Sequence, residues 1–316
     1  MQSRGLSLGF AAAIALAISV AQSSGQVVTE LYSFTGDPSS TPTYAVPSQG
    51  RDGRLYGTTS GQRRDTLGSV FRIATSGIEQ DIYALGAVGS GPNGGLTLAS
   101  NGNFYGTAPS GGSFGFGVLY SITPGGVYSV LHEFTGGDDG DYPFAAPIEA
   151  SDGNLYGTAG GSGGQNGNVY RYTRSGVFTT IYQLPTDQRQ YLISPLIQAT
   201  DGSFYGTTYL GGNYGCGSIF RITHTGAPLY RFSFSCSGPL GTSPGGPLMQ
   251  GSDGNFYGTT LLGGASVGLG TVFKMNAQGV VSVLYKFLGS PDGALPMAGL
   301  VEGTDGEPLR HNGRGR

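Results

Sequence analysis

The sequence predicts an all-β fold, a β-propeller built from four-stranded antiparallel blades. Three observations carry the expectation. The stretch DGNLYGT at 152–158 has kin in DGRLYGT at 52, NGNFYGT at 101, DGSFYGT at 201 and DGNFYGT at 253. The starts are spaced 49, 51, 49 and 52 residues apart, and a further 52 reaches Asp305-Gly306. Internal periods near 50 mark propellers or solenoids. Composition agrees, since 60 of the 316 residues are glycine and none is tryptophan. Beyond residue 25 no long stretch has 3.6-residue apolar periodicity, so little helix is expected.

Each period offers four short strands, rich in β-branched and aromatic residues and bounded by Gly, Asp or Ser. The first precedes the DG turn, as in PIEAS (147–151), PLIQAT (195–200), PLMQGS (247–252) and GLVEGT (299–304). The second is the repeated motif itself, as in NLYGTA (154–159). The third reads SVFRIA (69–74), VLYSIT (118–123), NVYRYT (168–173), SIFRIT (218–223) and TVFKMN (271–276). The fourth reads VYSVLHEF (127–134), VFTTIYQL (177–184) and VVSVLYKF (280–287). D-G or N-G between the first two strands suits a type I′ hairpin with both central residues at positive φ. A β-solenoid is the competing architecture, but its parallel stacking sits badly with hairpin turns. The first strand is expected innermost and the fourth outermost.

Five blades are expected complete, over about 45–287, with a sixth in fragments. VVTELYSF (27–34) reads as a fourth strand without the three before it. GLVEGT reads as a first strand followed by the polar DGEPLRHNGRGR. Residues 305–316 are expected to be a disordered basic tail, the stub of a truncated repeat. Residues 22–304 form the repeat domain.

Residues 1–21 read as a secretory signal peptide: Arg4, an apolar run from about Leu6 to Val20, then small residues. The small-x-small rule places cleavage after Ala21. The run is shorter than a membrane span needs, and no later segment is apolar enough to cross. A secreted, extracytoplasmic protein without a span in its mature chain is expected. Export permits a disulfide. Cys216 and Cys236 lie ten residues either side of Gly226, the centre of the hairpin turn in the fourth repeat. They are therefore placed as bonded cross-strand partners. The net charge of −3 and the 11% of charged residues make nucleic acid a poor partner.

The unit running from LYSF through PLIQATDGSFYGTTYLGG to GSIFRIT resembles the GloVer tandem repeat of exported bacterial proteins, over residues 27–306. It is also similar to two-component-regulator and NHL-type propeller repeats. The resemblance implies export, repeat architecture and often a C-terminal sorting or anchoring tail. Here the chain ends on Arg310, Arg314 and Arg316 with no apolar tail. The resemblance implies no activity.

The candidate chemistry weighs toward structure. Asp52, Asp152, Asp201 and Asp253 share a slot with Asn101, and Asn matches Asp in turn chemistry but not in charge. Tyr56, Tyr105, Tyr156, Tyr205 and Tyr257 could stack sugars but fit packing between blades better. His132 occupies a slot held elsewhere by Tyr32, Tyr83, Tyr182, Phe232 and Tyr285, so it reads as a packing residue. With His224 and His311 it makes no metal set and no triad. The acidic loop with Asp138, Asp139 and Asp141 lacks EF-hand spacing and is expected to be a solvated loop, with an incidental calcium site as the lesser reading. Gln49, Glu149, Gln198, Gln250 and Glu302 recur in the first strand and are expected near the channel or between blades. Arg72, Arg171, Arg221 and Lys274 recur in the third strand and could pair with carboxylates. No HExxH zinc motif or phosphate loop is present. The expected function is an exported, non-catalytic binding or surface scaffold whose partner is a glycan or another surface protein. The alternatives are a propeller-type polysaccharide lyase or hydrolase, and a truncated remnant.

Overall fold

The computed structural model describes residues 31, 32, 34, 41, 42, 46–61, 67–161, 167–185, 191–264, 268–290, 292–303, 308 and 309. The signal peptide with Ala21, Asp305, His311 and the terminal arginines lie outside the described residues.

Blade one is built from Ser48–Gln49, Leu55–Ser60, Ser69–Ile73 and Glu79–Ala84. Blade two is Thr97–Leu98, Phe104–Ala108, Val118–Ile122 and Tyr128–Glu133. Blade three is Ile148–Glu149, Leu155–Ala159, Asn168–Tyr172 and Phe178–Gln183. Blade four is Ile197–Gln198, Phe204–Thr208, Ser218–Ile222 and Pro228–Ser233. Blade five is Met249–Gln250, Phe256–Leu262, Thr271–Met275 and Val281–Lys286. In every blade the four strands pair in chain order, and the ladders are antiparallel. A solenoid of parallel coils is therefore excluded. No helix is present among the described residues.

Two local expectations need correction. The first strand is shorter than its apolar run, with a ladder of only two residues in each blade. Prolines such as Pro147, Pro195 and Pro247 stand just before it and cannot donate to a ladder. The inner edge is completed by the incoming connector. Thr41–Pro42 and Thr242–Pro244 pair with the far ends of their second strands, and the bridges Ser90↔Ser110 and Asp141↔Gly160 do the same in blades two and three. The DG turn is not type I′ either. Gly153 has φ of 74°, but Asp152 is not at positive φ. The Gly153 N–H bonds the Ala150 carbonyl at 2.8 Å, and the Ala150 N–H bonds the Asn154 carbonyl at 2.9 Å. This is the three-residue hairpin loop closed by a left-handed glycine. The hairpin between third and fourth strands repeats it, with Gly176 N–H bonded to Thr173. Both hairpins lie at one end of each blade, because the strands alternate in direction.

The second strands are the most buried, fully so over Leu155–Ala159 and Phe204–Thr208. The fourth strands are half-buried or exposed throughout, strictly alternating in Val281–Lys286, and form the outer edge. Blades adhere through aromatic pairs. Tyr56 meets Phe104 at 4.2 Å between ring centroids, Tyr156 meets Phe204 at 4.3 Å, and Tyr205 meets Phe256 at 4.1 Å. A second row links the outer strands of blades two and four to the next blade, with Phe134 on Tyr170 and Phe234 on Phe273. Phe34 packs on Phe71 of blade one at 5.1 Å in the same manner. The segment before blade one thus takes the place of a preceding outer strand.

Cys216 and Cys236 form a disulfide with Cα atoms 5.3 Å apart. It lies just beyond the ends of the strands Ser218–Ile222 and Pro228–Ser233, outside the ladder. It ties the loop before the third strand to the connector after the fourth. Past blade five, Val301–Glu302 pairs antiparallel with Pro308–Leu309, which lies within the stretch expected to be a disordered tail.

Candidate functional site

At the hairpin end of blades one, three and five, three repeated residues meet. The turn aspartate accepts the backbone N–H two residues on with one oxygen and the tyrosine hydroxyl with the other. Asp152 does so with Asn154 at 3.0 Å and Tyr156 at 2.8 Å. Asp52 pairs in the same way with Arg54 and Tyr56, and Asp253 with Asn255 and Tyr257. A cation from the third strand sits directly across from the tyrosine, at Arg72, Arg171, Arg221 and Lys274. Lys274 reaches Asp253 at 3.0 Å and Arg221 reaches Asp201 at 2.6 Å. The hydrogen bonds of Asn255 and Lys274 hold the Asp253 carboxyl well below the usual carboxylate range. Burial together with the Asp152 hydrogen bond pushes the Tyr156 phenol up to about 12.

The recurring Glu/Gln row does not meet these cations. It links adjacent blades. Glu149 accepts the Ser100 N–H and the Ser100 hydroxyl, both at 2.6 Å. Gln198 accepts the Ser151 N–H, Gln250 the Thr200 N–H, and Glu302 the Ser252 N–H. Each thus secures the turn of the blade before it. Blade two carries Leu98 in this row, and blade one correspondingly carries Arg51 at the turn, bonded to the Ser100 carbonyl.

Blade two departs from the pattern at two places together. Its turn residue is Asn101 and the residue across from Tyr105 is Ser121, so carboxylate and cation are lost as a pair. The backbone N–H of Asn103 fixes the Asn101 amide by bonding its oxygen at 3.0 Å. The amide nitrogen then donates to the Tyr105 hydroxyl at 2.8 Å. In addition, the position that holds Phe104, Phe204 and Phe256 in blades two, four and five holds leucine in blades one and three, Leu55 and Leu155. Tyr105 therefore has no ring to stack on and stays half-buried, while Tyr56 and Tyr156 are fully buried.

The missing ring leaves a cleft of about 420 Å³ between blades two and three. Tyr105, Leu131, Leu155 and Tyr172 line it as apolar surface; Ser100, Asn101, Glu149 and Arg174 supply polar groups. Burial raises the Tyr172 phenol, and the nearby Tyr105 adds to the shift. Arg174 stands in the second hairpin loop, at a slot held elsewhere by Thr75, Pro124, His224 and Ala277. Its Nε donates to the Gly153 carbonyl at 2.9 Å, and one Nη donates to the Ser100 hydroxyl at 3.1 Å and lies 3.6 Å from Glu149. Sequence reading singled out Asn101, Tyr105 and Glu149 but took each as one more copy of its row. Ser121, Leu155 and Arg174 were passed over. Their signal was deviation between aligned repeats, with two compensating changes in one blade.

The remaining candidates are placed as follows. His132 stacks on Phe178 at 3.6 Å and bonds Asp139 at 3.0 Å, as Tyr285 bonds Asp292 in blade five. Burial lowers the His132 pKa against the opposing pull of Asp139. Asp139 also accepts the Thr135 N–H, Asp138 offers its carbonyl to Thr180, and Asp141 is buried. Among the described residues no group of three or more His, Cys, Asp or Glu side chains could hold a metal ion. His224 is exposed in its turn. No described helix is long and apolar enough to cross a membrane.

Antiparallel four-stranded sheets in series, joined by ring stacking between their second strands, define a propeller-type repeat protein. The chain belongs to the Gloeobacter/Verrucomicrobia repeat family, whose model matches residues 17–164 and 137–309. No curated protein matches the sequence. Among solved structures, it is similar to a catalytically inactive virginiamycin B lyase from Staphylococcus aureus, with a TM-score of 0.58 and 20% identity over 81% of this chain and 72% of that one. It is also similar to the hydrazine synthase of Kuenenia stuttgartiensis, with a TM-score of 0.61 and 13% identity over 86% and 74%. A gluconolactonase from Xanthomonas campestris gives 0.53 and 13% over 85% and 82%. At these identities the likeness establishes fold and no activity.

Proposed function

We propose that the protein is an exported, non-catalytic binding protein that holds a carbohydrate in the cleft between blades two and three. One observation carries this reading. The inter-blade aromatic stack is interrupted at Tyr105 and Leu155, and there a half-buried tyrosine lines the cleft beside polar groups. Sugars combine apolar ring faces with peripheral hydroxyls, so a tyrosine face rimmed by hydrogen-bonding groups suits them. Export is supported by the signal-like residues 1–21 and by a disulfide of a kind that persists in oxidising compartments. A glycoside hydrolase would call for two carboxyl groups flanking one glycosidic bond. The cleft lining contains a single carboxylate, Glu149, and both its oxygens already accept from Ser100. The test is a glycan-array screen of the mature protein, followed by calorimetry on hits with wild type and Tyr105→Ala. Binding that is lost in the variant upholds the reading. Hits whose affinity is unchanged by the substitution refute it.

A further inference from the structure

We infer that the carbohydrate taken by this cleft is acidic, a uronate-type sugar whose carboxylate is read by the Tyr105 hydroxyl and the Arg174 guanidinium. The inference rests on the preceding reading and adds the ligand's charge.

It follows from where the protons are. In blades one, three and five the tyrosine hydroxyl spends its proton on the turn aspartate, which can only accept. In blade two the partner is the Asn101 amide nitrogen, which donates. The Tyr105 oxygen is thus the acceptor, and its own proton has no partner among the described residues. Replacing one oxygen by one nitrogen reverses the bond and turns a structural hydroxyl into a donor at the edge of the cleft.

The other polar groups share this bias. Glu149 receives two hydrogen bonds from Ser100, one on each oxygen, and has Arg174 beside it. Arg174 uses Nε and one Nη on Gly153 and Ser100, while its second Nη carries no bond among the described residues. Its side chain is 67% exposed. The second N–H of the Asn101 amide is likewise uncommitted. The Tyr105, Asn101 and Arg174 groups thus leave three donors free at one edge of the cleft, and the complement to a set of donors is an acceptor-only group. A carboxylate is the carbohydrate group that answers best, because bonds from a guanidinium to an anion are about twice as strong as neutral ones.

Charge points the same way. The turn that carries a carboxylate in the other four complete blades is neutral here. Arg51 sits behind it on the Ser100 carbonyl, and Arg174 stands in front. Two guanidinium groups thus flank the blade-two turn, against the one carboxylate of Glu149.

The test is isothermal titration of the full mature protein with tetrasaccharides of galacturonate, glucuronate and mannuronate, each beside its carboxyl-reduced neutral form, at pH 7 and low salt. At least one acidic tetramer is expected to bind ten-fold or more tighter than its reduced form. Arg174→Gln is expected to bring the ratio of acidic to neutral affinity down to near one. Equal affinity for the acidic and reduced forms overturns the inference but leaves the carbohydrate-binding reading standing. Absence of binding to every member overturns both.

Discussion

The side-chain amide of Asn101 donates to the hydroxyl of Tyr105 at 2.8 Å, whereas the hydroxyl of Tyr156 in the next blade donates to the carboxylate of Asp152 at the same distance. The two bonds are alike in length and opposite in direction. The direction is fixed by the backbone, since the N–H of Asn103 requires the Asn101 oxygen. From this reversal come the free donor of the cleft and the first prediction.

Asn101→Asp restores the turn carboxylate but faces Ser121, which cannot compensate it. Asn101→Asp with Ser121→Arg rebuilds the arrangement of blades three and four. A double-mutant cycle in urea is expected to give favourable coupling of about 0.5–1 kcal/mol, the range of an exposed ion pair. The single Asn101→Asp variant is expected to bind acidic tetrasaccharides at least ten-fold more weakly, because it consumes the Tyr105 proton and adds a negative charge.

Tyr120 and Tyr170 have buried hydroxyls with no partner among the described residues. The same slot holds Phe71, Phe220 and Phe273 in the other blades. An unpartnered buried hydroxyl costs about 1–3 kcal/mol in desolvation. Tyr120→Phe and Tyr170→Phe are therefore expected to be neutral or to stabilise by about 1 kcal/mol in chemical denaturation. A loss above 1 kcal/mol from either substitution counts against the placement of these rings.

The Asp52, Asp152, Asp201 and Asp253 carboxyls are held below their ordinary range in the folded protein. For Asp253 the hydrogen bonds from Asn255 and Lys274 are the leading causes; for the others, hydrogen bonds and nearby cations outweigh burial. A lowered folded pKa contributes stability that is present above the unfolded value, about 3.9, and lost as pH falls through the folded one. Thermal melts should show little contribution from these groups to any change between pH 7 and 5, and a decline below about pH 4. Asp253→Asn should make that acid decline shallower.

The Cys216–Cys236 bond spans 20 residues. Closing a loop of that size stabilises by about 3 kcal/mol on the chain-entropy account. The Cys216→Ser, Cys236→Ser double variant is expected to unfold at correspondingly lower urea with an unchanged strand content by circular dichroism.

The repeat made the fold legible. Tyr156 and its kin recur because each blade must bury its face on the next, and that requirement is written at the same place in every period. The turns were legible in position but not in type. Asp152 and Gly153 announce a hairpin, while the three-residue loop depends on Ala150 and Asn154 pairing behind it. The short first strands escaped because Pro147 and Pro247 shorten a ladder without disturbing the apolar run. The disulfide pairing was legible from its symmetry about Gly226, but its position past the ladder was not. The cleft was hidden for a different reason. Reading the rows for what they share makes Leu155 look like a tolerable exchange for Phe204. Its meaning appears only when Tyr105, some 50 residues earlier, is seen to have lost its stacking partner.

The most direct measurement is calorimetry of Leu155→Phe with the uronate tetrasaccharides. The new ring should stack on Tyr105 as Phe204 stacks on Tyr156, filling the cleft. The account predicts an unchanged or higher melting temperature together with at least a ten-fold loss of affinity. A folded Leu155→Phe protein that binds as tightly as wild type would contradict it.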